Sequence, residues 1–199
     1  MLIGSNNSLT YLKPSNIWLK IKRWMARCQE IPYDGQYNFW GVRYYDLRLY
    51  VNKNNHIMAK NSVYEYSLFS LYEILDYFDK RGDVVVKVTL DATMENFMSN
   101  EYKRIENKFK DICYIIDGIY KNVIFTGGTR LFDNRQIYTF KPRKSNYRDM
   151  KVISPVEFSP VYRFVSKWMP FLIDRLNRKY IEKFRDKRVF LVLNYVNRQ

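Results

Sequence analysis

Histidine is almost missing from this chain: His56 is the only one. A lone imidazole excludes any site that draws two histidines from one chain, for a metal or for paired proton transfer. Cysteine is nearly as scarce. Cys28 and Cys113 have no partners at metal-ligand spacing, and two thiols make no disulfide framework, so a reducing compartment is the default expectation. Seven glycines and six prolines in 199 residues leave little material for long flexible connections. No uninterrupted apolar run reaches the roughly 18 residues that suggest a membrane span. The opening Met1-Leu-Ile-Gly-Ser5 has no basic region followed by an apolar stretch, so no signal peptide is expected. Neither a Gly-x-Gly-x-x-Gly fingerprint nor a Walker loop occurs, which removes the usual nucleotide-binding signatures.

Acidic residues are also in deficit, 20 against 34 Lys and Arg, giving a formal charge of +14. A surface this basic attracts phosphates on nucleic acid, lipid headgroups or small ligands. The cations are dispersed, however. The densest stretch, Lys141-Pro-Arg-Lys144 with Arg148 and Lys151, is too short to be a nucleic-acid arm. Abundant Lys, Asn, Ile and Tyr point to an AT-rich genome, which accounts for part of the lysine excess. Hydrophobic residues make up 47% and aromatics 18%, enough for a packed core. The length suits one domain spanning residues 1–199.

Apolar runs alternate with amphipathic stretches. Leu2-Ile3 opens a short strand that enters the turn-like Gly4 to Ser8. Ile17 to Cys28 reads as a helix. Gly41 to Val51 is rich in β-formers and bounded by polar Asn-Lys-Asn-Asn, a strand signal. His56 to Lys60 is a second short strand. Leu68 to Lys80 carries apolar residues at helical spacing, with Gly82 as its stop. Val84 to Leu90 is nearly continuous in apolar residues, as a strand buried on both faces reads. Tyr102 to Tyr120 follows as a helix, then short strands at Val123–Thr126 and Ile137–Phe140. Phe164 to Lys183 holds one or two helices, and Arg188 to Val196 is the last strand. Repeated strand–helix–strand units imply an α/β domain with right-handed crossovers. A closed barrel and an open doubly wound sheet both fit this pattern.

Four segments, in order, resemble the catalytic X domain of phosphatidylinositol-specific phospholipase C. Ile3-Gly-Ser-Asn-Asn-Ser8 stands where that family has Gly-Thr-His-Asp-Ser. Trp24 and Cys28-Gln29 precede Gly41-Val-Arg-Tyr-Tyr-Asp-Leu-Arg48, which is similar to the family's second strand. Lys60-Asn-Ser62 occupies the place of its His-Gly, and Val84 to Leu90 resembles its fourth strand. The likeness covers the first half of the chain. It implies a distorted (β/α)8 barrel of the TIM type, trimmed in size, with its site at the C-terminal ends of the strands.

In the resembled enzymes one histidine takes the proton from the inositol 2-hydroxyl, which attacks phosphorus and forms a cyclic phosphodiester. A second histidine protonates the departing glycerol oxygen. Here Asn6 and Asn61 stand at the two histidine positions, and Asn7 at the Asp of the first motif. A carboxamide binds by hydrogen bonds but does not shuttle protons near neutral pH. The resemblance therefore implies an impaired or inactive homologue rather than an enzyme. Arg48 retains the place of the phosphate-binding arginine, with Asp46 beside it. Lys60, Lys87 and Asp91 complete the expected polar pocket, Lys87 and Asp91 sharing strand parity. Asn7, Asp46 and Asp91 offer oxygen donors of the kind calcium takes, but Arg48 competes for the same place, so no metal or cofactor is expected.

Three functions follow. The first is binding of a phosphate-bearing small molecule, a lipid headgroup or a protein partner without turnover. The second is a phosphodiesterase or lyase in which Asp46, Asp91 or Lys60 takes over proton transfer. The third, from composition alone, is a basic structural or accessory protein of a phage particle or a nucleic-acid binder. The expected location is cytoplasmic or virion-associated. Two further stretches are assigned structural roles: Thr126-Gly-Gly-Thr129 as a tight strand-to-helix turn, and Trp168-Met-Pro-Phe-Leu-Ile173 as buried helix.

Overall fold

The computed structural model describes residues 1–14, 27–51, 57–61, 64–68, 71–82, 84–91, 123–130, 136–140 and 150–197, with isolated positions between them. The side chains of 51, 57, 60, 61, 64–68, 90, 91, 123–130 and 136–140 lie outside the described residues. So do His56, Cys113, Trp24, the stretch 141–144, and most of the helices read at Ile17–Cys28 and Tyr102–Tyr120.

The strands are β1 (Leu2–Ser5), β2 (Val42–Val51), β3 (Ile57–Asn61), β4 (Tyr64–Leu68), β5 (Val84–Asp91), β6 (Val123–Arg130), β7 (Gln136–Phe140), β8 (Lys151–Ile153) and β9 (Val189–Leu193). The helices are α1 (Tyr33–Trp40), α2 (Leu71–Asp79), α3 (Pro155–Phe158), α4 (Pro160–Trp168) and α5 (Ile173–Phe184), with a 3-10 turn at Pro170–Leu172. All nine described strands join one sheet, whose main path runs β7-β6-β5-β2-β1-β9-β8 and curls into a half barrel. Strands β1, β2, β5, β6, β8 and β9 run parallel to their neighbours along this path. Among the described residues β7 and β8, the two ends of the path, do not pair, so the half barrel is the extent of the barrel architecture described.

Burial separates two faces. Along β2 and β5 the residues Tyr45, Leu47, Leu49, Val84, Val86 and Val88 turn outward and join the main core with α2. The spacing of Leu71, Ile74, Leu75 and Phe78 puts one apolar stripe on α2. Phe78 meets Tyr45 with ring centroids 4.4 Å apart. Gly82, at φ 69°, ends this segment, the left-handed position a helix stop requires. The inner face is thinner. Tyr44, Val85, Phe190 and Val192 form a small second cluster. Gly4 lies among them so closely that a Cβ would stand 2.9 Å from Val192 Cγ2. Glycine at position 4 lets β1 sit tightly between β9 and β2. A one-residue irregularity between Ile3↔Val42 and Gly4↔Tyr44 shifts β2 past Arg43, and this sets which residues of β2 face inward.

Several sequence expectations change. Thr126 to Thr129 lie inside β6, bonded to β5 on one side, with Gly127 to Thr129 bonded to β7 on the other; they form no turn. The Phe164–Lys183 helix starts earlier and breaks at Met169–Pro170 into α4, the 3-10 turn and α5, as proline inside a helical pattern dictates. Trp168, Phe171 and Leu172 are exposed rather than buried, and only Ile173 is fully enclosed. Helix α1 and strands β4 and β8 carry no periodic pattern long enough to have been read.

Candidate functional site

Parallel strands deliver their C-terminal ends to one edge of a sheet, where ligands of open and closed α/β folds bind. Here the pairing aligns four polar residues on that edge. The register Gly4↔Val192 and Ser5↔Leu193 carries β1 and β9 up to Asn6 and Asn194. On the other side, Ser5↔Tyr45 leads to Asp46, and Asp46 pairs with Lys87. Asn194, Asn6, Asp46 and Lys87 therefore form one row across β9, β1, β2 and β5, with neighbouring strands roughly 4.8 Å apart. Directly below them lie Val192, Gly4, Tyr44 and Val85, an apolar floor. Arg48 stands one inward step beyond Asp46 and pairs with Thr89.

The row has an amide half and a charged half. Asn6 Nδ2 donates to Asn194 Oδ1 at 2.7 Å, and both residues are buried. Arg48 Nε lies 3.6 Å from Asp46 Oδ2, with Arg48 partly open to solvent. Asp46 is only 5% exposed, so the guanidinium supplies the counter-charge a buried carboxylate needs. Asp46 Oδ1 is buried and has no hydrogen-bond partner among the described residues.

The loops behind the row are braced from outside. Gln29 Nε2 donates to the carbonyls of Asn6 at 3.0 Å and Leu193 at 2.9 Å, and Gln29 Oε1 accepts from Val196 N. Thr10 Oγ1 accepts from the backbone of both Cys28 and Gln29 and donates to Asn7 O. Ser8 N donates to Asp46 O at 2.8 Å, clamping the turn after β1 to β2. From the helix side, the Tyr162 hydroxyl donates to Asn177 Oδ1 and accepts from Asn194 N. Asn177 Nδ2 reaches the carbonyls of Asn194 and Tyr195. Burial pushes the Tyr162 phenol well above its ordinary range, so it remains a donor at any physiological pH.

Asn6, Asp46 and Lys87 are thus brought into one row by register, with Arg48 beside them. Asn7 departs from its expected place: at φ 46° its side chain turns away, and Nδ2 approaches Cys28 Sγ at 3.5 Å. The partner of Asn6 is Asn194 instead. Lys60 and Asn61 end β3, and Asp91 ends β5 opposite Arg130; their side chains lie outside the described residues. The path of β3 is informative all the same. Leu49 pairs with both Leu90 and Ala59, so β3 lies on the side of β2 opposite β5, the side β1 occupies lower down. Running antiparallel, β3 returns toward the end of β1, and Asn61 is its last residue. Asn194, Tyr162 and Asn177 were not singled out by sequence reasoning. Leu193-Asn-Tyr-Val196 reads as a closing strand, and a lone asparagine there carries no spacing signal.

No protein family model matches the chain, and no curated protein does. Solved structures do. A structure of phosphatidylinositol-specific phospholipase C from S. aureus, described in connection with modulation of its membrane binding, superposes with a TM-score of 0.61 at 12% identity. It covers 98% of this chain and 85% of that one. A double mutant of the same S. aureus enzyme gives 0.57 at 13% identity, over 98% and 84%. The chain therefore has a fold like that of phosphatidylinositol-specific phospholipase C.

Proposed function

We propose that this chain is a binding domain for phosphate esters, built on the phospholipase-C-like fold and lacking the groups that would turn its ligand over. The observation that carries this reading is the single row Asn194–Asn6–Asp46–Lys87 with Arg48 above it. Two cations are available for a phosphate, and the position expected to hold a proton-transfer group holds an amide that is already hydrogen-bonded to another amide. Arginine binds phosphate through a planar fork of donors, and lysine adds a point charge. Asn61, Lys60 and Asp91 are taken as the remaining members of the same mouth, and no metal is required.

Titration with soluble glycerophosphoinositol, together with an assay for its cyclic phosphodiester product, tests this. The expected result is saturable binding that Arg48→Ala weakens, with no product formed. Turnover that disappears in Arg48→Ala would overturn the proposal in favour of an active phosphodiesterase.

A separate observation favours a lipid surface as the setting. Phe158, Val161, Phe164, Trp168 and Phe171 recur at three- and four-residue spacing and are all exposed, Phe164 by 54% and Phe171 by 69%. Arg163 and Lys167 are exposed among them, and Lys167 Nζ sits 5.2 Å from the Trp168 ring centroid. Helix α4 is thus apolar on both faces, one packed inward through Tyr162 and Val165 and one open. Exposed aromatics flanked by cations suit an anionic bilayer surface. The S. aureus enzyme, whose membrane binding is the subject of one of the matching structures, offers a parallel.

A further inference from the structure

We infer that Asn194 is the positioning residue of this site and makes Asn6 a reader of ligand hydroxyl groups rather than a donor to phosphate. The inference rests on the phosphate-ester reading above and adds the specificity of its amide half.

The argument starts from the geometry of a carboxamide. Its nitrogen and oxygen diverge from one carbon in a plane, so fixing one end fixes the other. Asn194 lies on the β9 side of Asn6 and takes the Asn6 nitrogen at 2.7 Å. The Asn6 oxygen is therefore directed away from β9, toward the side where β2 lies. There it meets a second acceptor: Asp46, the next residue of the row, whose Oδ1 is buried and without a partner among the described residues. Asn6 Oδ1 likewise accepts no hydrogen bond among them. Two acceptors side by side repel a phosphate oxygen, which has only lone pairs to offer, and attract a group that carries a hydrogen. A buried acceptor left empty costs free energy, so a donor from the ligand is the natural complement. A ligand hydroxyl fits between Asn6 and Asp46 while its phosphate lies on Arg48 and Lys87, within one or two strand spacings.

Asn194 is equipped to hold this orientation. Its backbone N–H is bound by the Tyr162 hydroxyl at 3.0 Å and its carbonyl by Asn177 Nδ2 at 3.1 Å. Both partners come from helices α4 and α5, outside the mouth. The amide of Asn6 is thus set by a residue whose own place is fixed before any ligand arrives, a form of preorganisation.

The test compares two probes, glycerol 3-phosphate and methyl phosphate, by calorimetric titration. The first carries hydroxyls near its phosphate and the second carries none. The quantity read is the ratio of their affinities. The wild-type chain is expected to favour glycerol 3-phosphate by about tenfold, the value of one good hydrogen bond. Asn194→Ala should bring the ratio close to one. Asn194→Asp keeps an acceptor for Asn6 Nδ2 and should restore the preference, although its charge weakens both probes. Asn6→Ala, which leaves Asn194 in place, should lose the preference as Asn194→Ala does, so a folding failure in one variant leaves the other to decide. If methyl phosphate binds but the ratio is unchanged in Asn194→Ala and Asn6→Ala, the inference on Asn194 is wrong and the phosphate-ester reading stands. If neither probe binds the wild-type chain, both fall together.

Discussion

Asn6 and Asn194, 188 positions apart in the chain, are joined by a hydrogen bond of 2.7 Å between their side chains. The bond links the first and last strands of the sheet at the mouth, in a place closed to most solvent. Removing one partner leaves a buried amide without its bond, which costs about 1–3 kcal/mol. Removing both by apolar residues of similar shape costs less than the two single losses together. Asn6→Leu, Asn194→Leu and the double variant, compared by urea unfolding, should therefore show a coupling of about 1 kcal/mol or more. Strict additivity would mean that the two amides do not support each other.

Arg48 is expected to matter in two ways. It neutralises Asp46, which is almost fully buried, and it is the most exposed cation of the pair. Arg48→Ala should lower affinity for a phosphate ester about tenfold or more and also destabilise the fold. Arg48→Lys should recover stability better than affinity, because an ammonium restores charge but not the planar fork. Pairing each titration with a thermal melt separates the two effects. A full recovery of affinity by lysine would contradict a forked phosphate contact.

The missing chemistry defines a third expectation. General acid–base groups typically contribute about 10²–10⁴-fold per proton transfer. Asn6→His with Asn61→His supplies two titrating groups, and Asn194→Asp gives the new imidazole at position 6 a carboxylate to orient it. Only the triple variant should form measurable cyclic product from glycerophosphoinositol. Asn6→His alone should form none, since one proton still has no carrier. A folded triple variant that binds ligand yet stays silent would argue against Asn61 as part of the mouth.

Much of the sheet was legible because burial on two faces leaves a plain mark. Val84 to Leu90 is nearly all apolar, and it is a central strand. The inward polar residues of β2 were legible for the opposite reason: Asp46 and Arg48 interrupt an apolar strand at two-residue spacing. What escaped depends on contacts distant in sequence. Nothing local distinguishes Asn194 from any strand-end asparagine; its meaning comes from Asn6, Tyr162 and Asn177. Asn7 was misplaced because a motif match carries no backbone angle, and its positive φ turns the side chain toward Cys28. The paired glycines of β6 read as a turn by composition, yet both of their edges are filled by neighbouring strands.

Alkaline pH should reveal the buried phenols. Desolvation raises Tyr44, Tyr45 and Tyr162 well above the usual tyrosine value of 10.0. Above that pH the unfolded chain releases protons that the folded chain keeps. Stability is therefore full below about pH 10 and falls as pH rises beyond it. Melting temperatures taken from about pH 8 to about pH 11 should be level at first and then drop steeply. Tyr162→Phe should make the drop shallower while lowering stability at neutral pH, because its bonds to Asn177 and Asn194 are lost. A level profile through the whole range would contradict the burial of these hydroxyls.

The exposed stripe on α4 gives the last expectation. Phe164 and Trp168 stand one turn apart on a surface that also offers Arg163 and Lys167. Each large side chain moved out of water into a bilayer interface is worth about 1.5–3 kcal/mol at full burial, and each nearby cation about 1 kcal/mol against an anionic surface. Sedimentation with vesicles of phosphatidylcholine containing phosphatidylglycerol should carry the protein down, and pure phosphatidylcholine should carry far less. Phe164→Ser with Trp168→Ser should weaken binding at least tenfold without lowering the melting temperature, since neither side chain belongs to the core. Raised salt should weaken the wild-type chain but leave a residue of binding that the double variant lacks. Equal sedimentation of both proteins would assign any vesicle binding to the diffuse charge of +14 and not to this helix.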